Sequence, residues 1–144
     1  IDHGLKRIGV ATCDALQMAA REVAIIERST RQADFEQLNR IAAEQGAVGL
    51  VIGLPFNPYA EEGEHTQADT VKKWVERYSA TTTLPIVLWD EQLTSLDAKE
   101  IAIRQKRKPR DPIDDLAARV MLQSYLDALR DGLAPEMTSP EKSS

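Results

Sequence analysis

IDHGLKRIGVA, residues 1–11, is the stretch of sequence that decides the fold. It predicts the end of one strand, a tight turn at residues 4–6 and a second strand that begins at Arg7. Aspartate is a poor strand former, so Asp2 within a central strand calls for a functional reason. The opening segment therefore predicts a β-hairpin that presents a carboxylate.

Further acidic pairs accompany apolar segments far along the chain, at Asp90-Glu91 and Asp114-Asp115. Carboxylates that are distant in sequence can converge in a fold, and their oxygens are the ligands that Mg²⁺ prefers. Two such ions can activate the attacking water and stabilise the leaving oxygen of an in-line displacement. The pattern points to phosphodiester chemistry at a site formed by three carboxylates.

Each of these carboxylates also has a simpler structural role. Asp2 can cap a turn, Glu91 can be the first solvated residue after a strand, and Asp114 can cap a helix and complement its dipole. Asp115 faces about 100° away from Asp114 on a helix and is secondary. The ligand role is favoured for Asp2, Glu91 and Asp114, and for Asp114 the two roles can coexist.

Length and composition indicate one ordinary globular domain. The 144 residues are 42% hydrophobic and 28% charged, and their net charge of −5 argues against a protein that coats nucleic acid through bulk electrostatics. We expect a single domain over residues 1–132 and a disordered tail over 133–144, which is rich in Pro, Ser and Glu.

Cysteine usage and hydropathy predict where the protein acts. The single cysteine, Cys13, suits a reducing cytoplasm, and no apolar run approaches the ~20 residues of a membrane span, so no membrane partner is expected. Because the chain opens within a predicted strand, we expect further residues before Ile1. The oligomeric state stays open between monomer and homodimer.

Local positive charge is concentrated in Lys106-Arg107-Lys108-Pro109-Arg110, here called the basic run. The basic run predicts contacts with the phosphates of a nucleic acid, and a solvated loop is the equally weighted alternative. Lys6 and Arg7, beside the first turn, have the same two interpretations. His3 is next to Asp2 but should point to the opposite face of the strand, which favours a position in the core or at an interface.

The hydrophobic pattern predicts three strands, then a helix, a strand, a helix, a strand and two helices. After the opening strand, further strands are expected at 7–13, 20–27, 48–52 and 85–90, and helices at about 30–45, 66–78, 94–104 and 114–130. Hairpins followed by strand–helix–strand crossovers predict an α/β fold with a mixed five-stranded sheet, its first three strands antiparallel, and helices on both faces. That arrangement is ribonuclease H-like, and the same order also begins the actin-like ATPase domains.

In four segments the chain resembles the YqgF (RuvX) family of ribonuclease H-like proteins. These proteins are described as Holliday junction resolvases and as nucleases that mature the small-subunit ribosomal RNA precursor. The segments are residues 1–11, Val51-Ile52-Gly53-Leu54-Pro55, Asp90-Glu91-Gln92-Leu93-Thr94-Ser95, and Asp114-Asp115-Leu116-Ala117-Ala118 with Leu122-Gln123-Ser124-Tyr125-Leu126. Four matches in order, at comparable separations, extend over nearly the whole chain.

The resemblance implies a metal-dependent nuclease. Carried over residue by residue, the family's acidic positions fall on Asp2, Glu91 and Asp114. These would be both the catalytic residues and the ligands of Mg²⁺ or Mn²⁺, as one or two ions. The implied substrate is structured nucleic acid, either the 5′ end of precursor 16S ribosomal RNA or branched DNA.

Two departures from the family keep other functions open. Gln92 stands where arginine is usual, and residues 58–62 make the loop after Pro55 longer and more acidic. Both modestly favour a catalytically silent nucleic-acid-binding or ribosome-assembly module on the same fold. An ATPase or kinase-like domain is disfavoured, because 144 residues cannot supply the two lobes that normally close on a nucleotide.

Overall fold

The structure is a computed structural model that describes residues 1–55, 61–91 and 94–135, with the backbone alone described at residues 91 and 94–96. The strands and helices follow the predicted order. The strands are β1 (Asp2–His3), β2 (Arg7–Cys13), β3 (Ala20–Glu27), β4 (Leu50–Pro55) and β5 (Ile86–Glu91). The helices are α1 (Arg31–Glu44), α2 (Gln67–Ser79), α3 (Thr94–Arg104) and α4 (Asp114–Arg130).

The strands form two sheets. Strands β1, β2 and β3 pair antiparallel in that order, as predicted, and β4 pairs with β5 in parallel. The prediction of a single five-stranded sheet is wrong, because β1 pairs with β2 and the described hydrogen bonds to β4 are confined to Ile1, which is too few for a ladder. Two backbone hydrogen bonds at Ile1 connect the sheets instead. The Ile1 amino group donates to the Val51 carbonyl at 2.7 Å, and the Gly53 amide donates to the Ile1 carbonyl at 3.1 Å.

Helices cover both faces of the strands, which confirms that part of the prediction. Neighbouring residues of β4 show this directly, because Ile52 packs in the core with α1 and α2 whereas Val51 packs against α4. The first core contains Ile8, Val10 and Ile26 of the antiparallel sheet together with Phe35, Leu38, Val71 and Trp74 of the helices. On the other face Met121 and Tyr125 of α4 pack against the strands, and α3 contacts α4 through Ala98, Ala102 and Leu116.

The helix starts follow the sequence pattern where their side chains are described. Thr30 accepts a hydrogen bond from the Ala33 amide at the start of α1, and Thr66 forms a reciprocal capping box with Asp69 at the start of α2. The expected cap of α3 by Thr94 or Ser95 lies outside the described side chains.

After α4, the described residues 133–135 fold back on the helix. The Leu133 amide donates to the Ala128 carbonyl at 2.7 Å, and the Tyr125 hydroxyl donates to the Pro135 carbonyl at 2.6 Å. The disordered tail that the sequence predicts from residue 133 therefore has its first three residues packed on α4, and the remainder lies outside the described residues. In the described part of the chain, no helix is long and apolar enough to cross a membrane.

A cavity of about 950 Å³ opens between β2 and β4. It is lined by Ala11 and Cys13 at the end of β2, by Gly49 and Leu50 at the start of β4, and by apolar residues of α1 and α4. Strand β4 ends at Pro55, so this cavity lies at the end of the sheet opposite to the carboxyl ends of the parallel strands.

Candidate active site

The three predicted acidic residues belong to elements that meet at one edge of the sheets. The hydrogen bonds of Ile1 to both sides of Ile52 have the pattern of parallel strands, so β1 runs in the direction of β4 and β5. Their carboxyl ends therefore lie together. Strand β2, antiparallel to β1, begins at this edge, and α4 contacts both β1 and β2.

Gly9 brings the start of α4 against the strand next to Asp2. A Cβ atom on Gly9 would lie 1.8 Å from the Asp114 carbonyl oxygen, so only a glycine allows the helix to approach this closely. Asp2 is opposite Gly9 in the β1–β2 register, and residues paired across strands share a face of the sheet. Asp2 and the first residue of α4 are therefore neighbours on the same face.

His3 has the core position that the sequence predicts. It is opposite Ile8 in the register and buried, and its ring centroid lies 4.7 Å from that of Trp74 on α2. His3 is therefore excluded from the face that carries Asp2.

The Asp114 carboxylate is directed to the β1–β2 turn and does not cap its helix. The N-cap of α4 is Ile113, without a side-chain cap, and Asp114 follows it as the first helical residue. Its Oδ2 atom accepts a hydrogen bond from Arg7 Nε at 3.0 Å. Its Oδ1 atom lies 3.6 Å from the position that a Cβ on Gly4 would occupy. One carboxylate oxygen is thus paired with β2 and the other faces the end of β1.

Glu91 is the last residue of β5 and pairs with Pro55 of β4, which places its backbone at the same edge. Its side chain is outside the described part of the structure, as are Gln92 and residues 56–60. Among the described residues, no group of three His, Cys, Asp or Glu side chains is arranged to hold a metal ion. The structure therefore brings the Asp2 and Asp114 positions together, and the role of Glu91 stays a prediction.

The basic run divides into one internal residue and three exposed ones. Arg107 donates to both carboxylate oxygens of Asp115, at 2.8 and 3.0 Å, and also to the Pro112 carbonyl. The hydrogen bond with Asp115, outweighing the effect of burial, raises the pKa of Arg107 above its usual value. The side chains of Lys106, Lys108 and Arg110 are exposed. Of the two cations beside the first turn, Lys6 is exposed, whereas Arg7 is the partner of Asp114.

Sequence reasoning missed the partners of Arg7 and Arg107. The Arg7–Asp114 pair spans 107 positions, which no local pattern can reveal. Arg107 and Asp115 are eight positions apart, but the loop between α3 and α4 intervenes, so no helical spacing relates them. Asp115, which the sequence ranks as secondary, is buried and holds the basic run in place through its two hydrogen bonds from Arg107.

Comparison with known proteins places these features in a family. The model of the RuvX family, described as Holliday junction resolvase, matches residues 1–128. A protein of Thermosynechococcus vestitus named "Putative pre-16S rRNA nuclease" is 40% identical over 131 residues, which cover 89% of this chain and 85% of the relative. A protein of the same name from Rippkaea orientalis is 40% identical over 133 residues, covering 90% and 94% of the two chains.

A solved structure shows the same fold with little sequence identity. T. thermophilus RuvC in complex with Holliday junction substrate has a TM-score of 0.59 and 10% identity, and the match covers 92% of this chain and 94% of that chain. This likeness confirms the RuvC-like, ribonuclease H-like class of the fold.

Proposed function

The chain belongs to the RuvX family, and we propose that it is a nuclease that hydrolyses phosphodiester bonds of structured nucleic acid. The observation that carries this proposal is the position of Asp114. A helix from the end of the chain is packed onto Gly9 of the first hairpin, which sets Asp114 beside Asp2 at the edge where β5 ends.

The donor set at this edge fits a hard divalent cation. We propose that Asp2, Glu91 and Asp114 hold Mg²⁺ or Mn²⁺, because carboxylate oxygens are the ligands these ions prefer. The Oδ1 atom of Asp114 faces β1, the strand that carries Asp2, so at least one carboxylate is directed as such a site requires. When bound, the metal would supply activation of the attacking water and stabilisation of the leaving oxygen.

The other residues of this edge shape the site and bring the substrate to it. Gly9 sets the distance between α4 and β2, and the Gly4 amide closes the turn by donating to the Arg7 carbonyl at 2.9 Å. A chain with a net charge of −5 needs local positive charge to bind a polyanion next to carboxylates. We assign this role to the exposed Lys106, Lys108 and Arg110 of the basic run, with Lys6 at the turn.

We propose that the substrate is the 5′ end of precursor 16S ribosomal RNA, with branched DNA as the second candidate. The names of the curated relatives support the first, and the description of the family supports the second. Cleavage of a ribosomal RNA precursor and of a four-way DNA junction, assayed side by side with Mg²⁺ or Mn²⁺, distinguishes them. Binding of either without cleavage under any metal would support the silent module, which Gln92 favours.

The variant Asp2→Asn tests the site itself. We expect it to lower metal-dependent cleavage by at least about 100-fold, since a metal ligand is lost. It should leave the free energy of unfolding unchanged or slightly higher, because like charges in one site repel each other. Asp131→Asn is the matched control, since it removes an exposed carboxylate at the other end of α4. Cleavage by Asp2→Asn at the wild-type rate would show that Asp2 is not a metal ligand.

A further inference from the structure

Arg7 and Asp114 form an ion pair at the edge of the sheets that carries the candidate site. Arg7 Nε lies 3.0 Å from Asp114 Oδ2, and the two side chains are 36% and 23% exposed. This is the hydrogen bond that the Arg7 side chain makes within the described residues, so its two terminal nitrogens have no partner there. The pair is therefore half-buried and uses one of the three guanidinium nitrogens.

The energetics of this pair make it exchangeable. Carboxylates that share a site repel one another in the absence of a metal ion, and a guanidinium on one of them reduces that repulsion. Ion pairs that are partly exposed contribute about 1 kcal/mol or less. A divalent cation on Oδ1, the oxygen that faces β1, would place two further positive charges beside the Arg7 guanidinium on Oδ2, and the repulsion between them weakens the hold of Arg7 on Asp114.

The released guanidinium has a second use at the same edge. Arg7 is the first residue of β2 and follows the exposed Lys6, so its side chain begins at the same edge of the sheets as the candidate site. The planar guanidinium group matches two oxygens of a phosphate, which makes arginine a better phosphate ligand than a point charge.

We propose that Arg7 is an exchangeable counter-ion, bound to Asp114 in the metal-free protein and transferred to a substrate phosphate when the metal is bound. The inference rests on the proposed function, because it requires the metal at Asp114. Arg7 thus has a role in both states of the site. Without the metal its positive charge offsets the negative charge of Asp114, and with the metal bound it contacts a substrate phosphate.

Calorimetric titration with Mn²⁺ alone tests the competition without any cleavage assay. Arg7→Gln removes the charge and should tighten Mn²⁺ binding roughly three- to tenfold, the order expected for one nearby charge at a partly exposed site. Arg7→Lys keeps the charge and should bind Mn²⁺ about as the wild type does. Arg40→Gln is the matched control, since it removes an exposed positive charge on α1 that has no pairing with Asp114, and its effect should be less than about twofold.

Binding of a four-way junction in Ca²⁺ tests the second state. Arg7→Gln should weaken binding and lower the slope of log affinity against log salt by about one, the value of one lost phosphate contact. Mn²⁺ affinity that is unchanged or weaker in Arg7→Gln would overturn the inference and make Arg7 an orienting residue for Asp114. If the wild type binds Mn²⁺ and Asp114→Asn binds it equally well, the proposed metal site fails, and this inference fails with it.

Discussion

His3 is a buried residue whose protonation opposes folding. Its side chain is 6% exposed, and neither ring nitrogen has a hydrogen-bond partner within the described residues. Burial, together with the positive charge of Arg28, lowers the pKa of His3 from 6.5 to about 4. Between these pH values the unfolded chain binds a proton that the folded chain does not, so the unfolded state is favoured as the pH falls.

We expect His3 to make the free energy of unfolding fall by about 3 kcal/mol as the pH is lowered through this window. The stability is fully present above pH 6.5 and is lost by about pH 4. Urea unfolding of His3→Phe should therefore show a flatter pH dependence than the wild type. His65→Gln is the control, because His65 is exposed and hydrogen-bonded to Thr70, and it should retain the wild-type slope. If the free energy of unfolding depends on pH equally in the wild type and in His3→Phe, the destabilisation at low pH does not come from His3.

Gly9 is the residue on which the position of α4 depends. A methyl group there would lie 1.8 Å from the Asp114 carbonyl oxygen and 2.9 Å from the Asp115 amide nitrogen, both of them backbone atoms that cannot rotate away. Gly9→Ala should lower the free energy of unfolding by about 3 kcal/mol, as overpacking does. Gly46→Ala provides the comparison, because Gly46 has a φ of 63° but open space around it, and it should cost only about 1 kcal/mol. Similar losses in urea unfolding would show that α4 can move.

Three helices end in the same hydrogen-bonded turn, with a residue in the left-handed conformation. The amides of Ala47, Arg107 and Leu133 donate to the carbonyls of Ala42, Ala102 and Ala128 respectively. The left-handed residue is Gly46 after α1 and Gly132 after α4, but it is Lys106, with a φ of 60°, after α3. A lysine costs about 1 kcal/mol more than glycine in this conformation. Lys106 therefore places a positive charge on the loop at a cost in stability.

The loop between α3 and α4 contains the exposed Lys106, to which we assign substrate binding, and Arg107, which is paired with the buried Asp115. Lys106→Gly should lower the salt slope of nucleic-acid binding by about one and raise the free energy of unfolding by about 1 kcal/mol. Arg107→Ala should instead lower the free energy of unfolding by roughly 3 kcal/mol, because Asp115 would be left buried without its partner. Binding titrations at several salt concentrations measure the slope for each variant, and urea unfolding measures its free energy of unfolding. If the slope of log affinity against log salt is unchanged in Lys106→Gly, Lys106 makes no phosphate contact and belongs to a solvated loop.

Across the whole molecule, local patterns predicted the elements and missed the contacts between them. Strands β2 and β3 and helix α4 have the predicted bounds, because the two strands are rich in β-branched residues and the helix carries apolar residues at helical spacing. The prediction of a single sheet was wrong because the described hydrogen bonds to β4 are confined to Ile1, and no local pattern shows how many hydrogen bonds two segments will form. The ion pairs of Arg7 and Arg107 exist only after folding. One tertiary contact did leave a signal, since a glycine inside a strand pattern, such as Gly9, often marks a close backbone approach.

The candidate site is made by residues from both ends of the chain, so the unfolded chain does not contain it. A ligand that binds only the folded state stabilises it by mass action, and Mn²⁺ at about 100 times its Kd should add roughly 3 kcal/mol, or about 10 °C in Tm. Asp2→Asn and Asp114→Asn should lose most of this shift, whereas Asp131→Asn, at the far end of α4, should keep it. Thermal unfolding with increasing Mn²⁺ measures the effect in intact protein. A shift of equal size in all four proteins would mean that the metal stabilises the fold elsewhere than at the edge shared by β1 and α4.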